Sequence, residues 1–144
     1  MIALLQRVSR ARVEVSGQSI AKIGQGILVF IGVEPADTEK TADLFASRLL
    51  NYRIFADQQG KTNLSLLDIQ GGLLLVPQFT LVANTSKGRR PSFTTAADPE
   101  QGKVIFQTML RMAQARYERV ESGQFGADMQ VHLVNDGPVT FILN

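Results

Sequence analysis

Apolar and polar positions change rhythm several times along the chain, and each rhythm predicts an element. Ile2–Val8 and Arg12–Val15 are β-rich, Ser16-Gly17-Gln18 is a turn signal, and Ile20–Ile23 resumes the strand. Gly24-Gln25-Gly26 breaks the pattern again before the continuous apolar run Ile27–Val33, which reads as a buried strand. Connections this short join antiparallel neighbours. Glu34-Pro35-Ala36-Asp37 ends the sheet segment, and Asp37 or Thr38 caps a helix over Thr38–Asn51. Ala42, Phe45, Ala46 and Leu49 give that helix one apolar face. Arg53–Ala56 reads as a short strand and Asp57–Gly60 as a turn. Gly71-Gly72 introduces the strongest strand, Leu73 to about Val82. Asn84–Ala97 is polar and reads as a long loop, a length that usually signals function. Asp98-Pro99-Glu100 starts a second helix, with Ile105, Met109, Met112, Ala113 and Tyr117 along one side, running to about Val120. Asp128–Asn135 and Val139–Leu143 read as two closing strands around Asp136-Gly137-Pro138. The sum predicts a single domain over residues 1–144, of α/β class in its α+β form. Its expected architecture is layered, barrel-like, mostly antiparallel β-sheets with two helices packed on one side.

Composition narrows the chemistry. With 44% apolar and 19% charged residues the chain reads as globular. It has no cysteine, which excludes disulfides, thiol nucleophiles and cysteine-held metals. Its one histidine, His132, excludes a multi-histidine metal site. The opening Met1–Arg7 does not read as a signal peptide, and the longest apolar runs fall far short of the roughly 20 residues of a membrane span. The expectation is a cytoplasmic protein. A formal charge of +2 is too small to identify a nucleic-acid binder by itself.

Simple catalytic constellations fail. His132 lies in Met129-Gln130-Val131-His132-Leu133, where alternation points it to solvent or an interface, so a Ser-His-Asp triad has no base. No HExxH, P-loop or GxGxxG pattern occurs, and Asp128 and Asp136 look like turn formers. The informative segment is Leu73–Leu81, an apolar strand that suddenly carries Gln78 and Thr80, placed by alternation on one face. That is either a strand surfacing at its end or a recognition site. Pro77 lacks an N–H and places the strand at an edge or bulge, leaving N–H groups such as those of Phe79 and Thr80 free for an oxyanion. Asn135-Asp136-Gly137-Pro138 reads first as a turn, with Gly137-Pro138 a plausible cis peptide. Three basic groups could be solvated surface or phosphate contacts: Arg7, Arg10 and Arg12; Lys87, Arg89 and Arg90; and Lys103, Arg111, Arg116 and Arg119.

Pro77-Gln78-Phe79-Thr80-Leu81 resembles the SQFTL motif of the D-aminoacyl-tRNA deacylases, and Asn135-Asp136-Gly137-Pro138-Val139-Thr140 resembles that family's NxGPVT motif. Ala3–Val8, Tyr52–Phe55, Arg90–Phe93 and Phe125–Val131 look like family segments in family order. The resemblance implies a homodimeric cytoplasmic editing enzyme, with active sites at the subunit interface. Such an enzyme hydrolyses the ester of D-aminoacyl-tRNA, and of glycine mischarged on alanine tRNA, without metal or cofactor. It implies Gln78, Phe79 and Thr80 as the catalytic pocket and Gly137-Pro138 as a cis gate that rejects L-aminoacyl groups in the partner's site. Arg7, Pro77 and Asn135 would be supporting residues, and the tRNA 2′-hydroxyl would assist the chemistry. Lys87, Arg89 and Arg90 are expected to contact tRNA phosphates. Pro77 departs from the family's usual serine, so a serine hydroxyl at that position is not available as a nucleophile. A non-catalytic RNA-binding barrel and a purely structural dimer are the other readings.

Overall fold

The computed structural model describes residues 1–144. Its spine is β1 (Ile2–Val15), a single strand where two were expected. The first half of β1 pairs antiparallel with β3 (Gly26–Gly32), the second half with β2 (Gln18–Ile23). Along its other edge β1 pairs antiparallel with β8 (Met129–Leu143). Beyond β3 lie β6 (Gly72–Pro77) and β7 (Val120–Ser122), giving the order β2-β1-β3-β6-β7. Most pairings are antiparallel, as the short connections predict. The two pairings of β6 are parallel, because helix-bearing crossovers precede and follow it. A separate hairpin joins β4 (Phe55–Ala56) and β5 (Thr62–Leu64).

The helices α1 (Glu39–Asn51) and α3 (Pro99–Arg116) pack on one side of this curved, mixed sheet. Strands β3 and β6 are buried on both faces, which is why both are apolar without alternation. Ile27, Val29, Ile31, Leu73 and Leu75 face Phe45, Leu49, Ile105, Phe106 and Met109 of the helices. Leu28, Leu74 and Val76 face the barrel interior with Val8, Ala11, Val13 and Ala21. The strands meet so closely at their start that a Cβ on Gly26 would lie 1.9 Å from the Gly72 carbonyl oxygen. That approach is the reason for the glycines that punctuate both segments.

Thr38 caps α1 in a capping box with Thr41. Asp37, the alternative cap, is buried and instead accepts from the Met1 amine and the Glu34 N–H, each at 2.8 Å. Further expectations change. The strand from Leu73 ends at Pro77, and Phe79–Val82 is a 3-10 turn. α3 stops at Arg116, and Val120–Ser122 leaves it to pair with β6. Leu66–Ile69 forms a short helix, α2, capped by Ser65 and Asp68. Asp136-Gly137-Pro138 is no hairpin turn, because β8 runs through it.

Candidate active site

The end of β6 is shaped by proline. In this strand residues 73 and 75 bond toward β7, through Leu73 N–H to Arg119 O and Gly123 N–H to Leu75 O, whereas Gln78 N–H bonds toward β3, to Ile31 O at 2.7 Å. Pro77 therefore turns its nitrogen toward β7. The ladder toward β7 reaches Gly123, so Pro77 ends it there, and the Gly123 carbonyl accepts from the Ser122 hydroxyl at 2.9 Å. The chain then winds into the Phe79–Val82 turn, where Leu81 N–H takes the Gln78 carbonyl. The N–H groups of Phe79 and Thr80 find no acceptor in the chain. The Gln78 amide donates to Thr80 Oγ1, so the two polar side chains are held together. This pairing comes from the turn and not from strand alternation.

Phe79 is 58% exposed, with its ring centroid 5.2 Å from that of Phe93. The Asn84–Ala97 loop is thereby fixed to the site. The Thr95 hydroxyl donates to Val82 O, Ala97 N–H bonds Val33 O at 3.1 Å, and Asn84 and Ser92 close the tip as an isolated bridge. Lys87, Arg89 and Arg90 stand exposed on that tip without ion-pair partners.

Beside Gln78 and Phe79 opens a cavity of about 430 Å³, with Ile31, Val76 and Phe106 beneath and Phe125, Met129 and Val131 at the side. Asp98 is the only carboxylate lining it, and it is committed to the Glu100 and Gln101 N–H groups as the α3 cap. His132 lies on the opposite face of β8 from Met129 and Val131, exposed, 3.1 Å from Glu14. Its place agrees with the alternation and removes it from the cavity. The Glu14 carboxyl is held below its ordinary pKa, first by its hydrogen bond from Arg12 and then by that from His132.

The second motif is a bulge in β8. Val8 pairs with Asn135 and Gln6 with Thr140, so Asp136–Val139 stand opposite Arg7 alone. Asn135 clamps the bulge: its Oδ1 accepts from Val139 N–H at 2.9 Å and its Nδ2 donates to Thr140 Oγ1 at 2.8 Å. Arg7 supports it from below, donating through Nε to Asp136 O at 3.0 Å and through Nη1 to Ile54 O at 2.9 Å. Gly137 sits at φ +140°, and the Gly137–Pro138 bond is cis. Both residues are exposed.

Within one chain the two motifs do not meet. Arg7 pairs with Ile27, which pairs with Leu73, whereas Gln78 follows Pro77, five residues beyond Leu73. At the rise of a strand that is about 16 Å. Of the residues expected from the sequence, Gln78, Phe79 and Thr80 come together beside the cavity, and Arg7, Asn135, Gly137 and Pro138 come together at the bulge. Sequence reasoning missed Phe93 as the support of Phe79, and Phe125, Met129 and Val131 as cavity walls. The apolar members of the Met129–Leu133 alternation were the available signal for the last two.

The sequence model of the family described as D-Tyr-tRNA(Tyr) deacylase matches residues 4–144. A D-aminoacyl-tRNA deacylase of Pseudomonas aeruginosa is 59% identical over 143 residues, covering 99% of each chain. One from Pseudomonas putida is 60% identical over 143 residues, again covering 99% of each. Among solved structures, the c-Myc DNA Unwinding Element Binding Protein superposes with a TM-score of 0.95 at 41% identity, covering 100% of this chain and 98% of the other. A structure described as a probable eukaryotic D-amino acid tRNA deacylase shares the fold, with a TM-score of 0.87 at 17% identity over 99% of this chain and 97% of the other. By profile and by identity along its whole length, the chain belongs to the D-Tyr-tRNA(Tyr) deacylase family and is an enzyme of hydrolase class.

Proposed function

We propose that the chain hydrolyses the ester between a D-amino acid and the 3′-terminal ribose of tRNA, and accepts glycine in the same site. The observation that carries this reading is the pair of unbonded N–H groups at Phe79 and Thr80, beside an apolar cavity that holds no free carboxylate, imidazole or thiol. An aminoacyl ester is already activated, so positioning and oxyanion stabilisation suffice for much of the barrier. The substrate's own 2′-hydroxyl supplies the remaining assistance. Pro77 supports the same reading, since it fixes the strand end and offers no nucleophile.

The site is completed by a second copy. The Gly137-Pro138 bulge is exposed, braced by Arg7 and Asn135, and about 16 Å along the sheet from its own Gln78. It is therefore a feature to be inserted elsewhere, and the partner's cavity is the proposed place. β8 supports dimerisation: its outer edge has no partner strand, and Phe141 and Ile142 stand 40% and 64% exposed beside it. In that arrangement the bulge occupies the volume an L side chain requires, whereas D side chains and glycine clear it. Lys87, Arg89 and Arg90 hold tRNA phosphates near the cavity mouth, and the work is done in the cytoplasm.

The test is deacylation of matched D- and L-aminoacyl-tRNAs and of glycyl-tRNA. Release of D-amino acid and glycine, with the L ester left intact, is expected. Equal rates on both enantiomers would refute the gate. No release from any of them, with salt-dependent tRNA binding retained, would make the chain a binding barrel instead.

A further inference from the structure

The outer face of β2, β1 and β8 carries a cluster of cations that the site above does not use. Arg12 pairs directly with Lys22 on one side and with His132 on the other, so three basic side chains form one row across three strands. Arg10 stands two residues along β1 on the same face, opposite Val134. The inner face of these strands is Ala11, Val13, Ala21, Val131 and Leu133, all packed in the barrel interior. Cross-strand neighbours lie about 5 Å apart, where like charges oppose each other, so the row costs folding energy. One carboxylate offsets it: Glu14, 3.0 Å from Arg12 and 3.1 Å from His132. Arg10 and Lys22 have no ion-pair partner. Three permanent cations against one acid leave this patch at +2, as much as the formal charge of the whole chain.

The cluster is not a convex surface. Arg10, Arg12, Lys22 and His132 line a depression of about 360 Å³ with Ile23 and Val134. Its one ring is the His132 imidazole, and no Phe, Tyr or Trp lines it, so it offers little for a base to stack on. Fixed guanidinium and ammonium groups in an aliphatic depression suit phosphate oxygens. Its position also suits a long polyanion. β8 presents Met129 and Val131 to the substrate cavity and His132 to this face, so one strand separates the two.

We propose that this face binds the sugar-phosphate backbone of the tRNA body while the 3′ end occupies the cavity. The proposal rests on the deacylase reading above. Arg10, Arg12 and Lys22 act as uniform binding groups, which change affinity and not the chemical step.

The experiment compares the wild type with Arg10→Ala/Arg12→Ala/Lys22→Ala and with Glu14→Gln. Filter binding of deacylated tRNA is measured across a salt series. Hydrolysis is followed on D-aminoacyl-tRNA and on a D-aminoacyl ester of adenosine, which has no tRNA body. The triple variant is expected to bind tRNA at least about tenfold more weakly and to lose about three units of salt slope. Its kcat on saturating tRNA and its rate on the adenosine ester should match the wild type. Glu14→Gln, which removes the one opposing charge, is expected to tighten tRNA binding, a result that simple loss of packing would not give. An unchanged salt slope in the triple variant, or weaker binding by Glu14→Gln, overturns the proposal, as does a changed oligomeric state in both variants. Failure of the wild type on both esters would instead sink the deacylase reading, while the binding arms still judge this face.

Discussion

Arg7→Ala tests whether the Gly137-Pro138 bulge is held in place by a single side chain. The Arg7 side chain is 18% exposed and bridges two elements that do not otherwise touch through polar groups at this point. Its Nη1 bond to the carbonyl of buried Ile54 is shielded, and a charge-assisted bond of that kind contributes about 2 kcal/mol. Its Nε bond to Asp136 O is exposed and adds about 1 kcal/mol. The nearby Asp136 carboxylate, 3.6 Å away and half exposed, adds little after solvent screening. The expected loss is about 3 kcal/mol, which for a domain of this length lowers Tm by about 10 °C. Thermal unfolding at fixed protein concentration measures it. Arg7→Lys keeps the charge but not the fork, so it reaches one carbonyl and should recover about half. Under the proposed insertion of the bulge into a second copy's cavity, deacylation should fall in parallel, because an unbraced bulge would not enter it in one conformation. Arg7→Ala that unfolds within about 1 kcal/mol of the wild type and edits at the wild-type rate would refute the bracing role.

Gly137→Ala should be costly, because φ is +140° and its Cβ would lie 2.6 Å from Val139 Cγ2 and 2.9 Å from Val139 N; a loss of about 1–3 kcal/mol with weakened D/L discrimination is expected from denaturation and paired deacylation assays. Pro77→Ser should change stability by less than about 1 kcal/mol and leave editing within a few-fold, since the restored N–H lies beside Gly123, whose carbonyl already accepts from the Ser122 hydroxyl; chemical denaturation and the deacylation rate check it. Glu14 has a folded pKa below its ordinary 4.5, so its pairing stabilises the fold fully above about pH 4.5 and loses that effect as pH falls through the lower folded value. The stability gap between wild type and Glu14→Gln, followed by urea unfolding across pH 3–7, should therefore be widest near neutrality and close in acid.

Much of this architecture was legible in the chain because long elements carry their period openly. The apolar faces of α1 and α3, the doubly buried runs of β3 and β6, and the capping residues Thr38 and Asp98 follow from local rules. Short elements escaped for local reasons too. Val120 falls at helical spacing after Tyr117, so β7 hides in the apparent tail of α3 until β6 is there to pair with it. The Ser65–Asp68 capping box was readable, but the four-residue helix it starts is too short to show a period. Asp136-Gly137 has hairpin chemistry, and only the continuous β1 opposite turns that segment into a bulge. At the site, polarity marked Gln78 and Thr80. Their contact depends on the 3-10 turn after Pro77, and the cavity walls come from α3 and β8, which no window of sequence brings together.

In the proposed mechanism, backbone N–H groups and the substrate's hydroxyl, and not a protein nucleophile, drive ester cleavage. Single-turnover deacylation of one D-aminoacyl-tRNA, prepared with either adenosine or 2′-deoxyadenosine at its 3′ terminus, tests it most directly when run with the wild type and with Thr80→Ala. Thr80→Ala should turn over the ribose substrate measurably, and the wild type should lose activity sharply on the deoxy substrate. Abolished turnover in a folded Thr80→Ala protein, with the deoxy ester cleaved normally by the wild type, would contradict that mechanism.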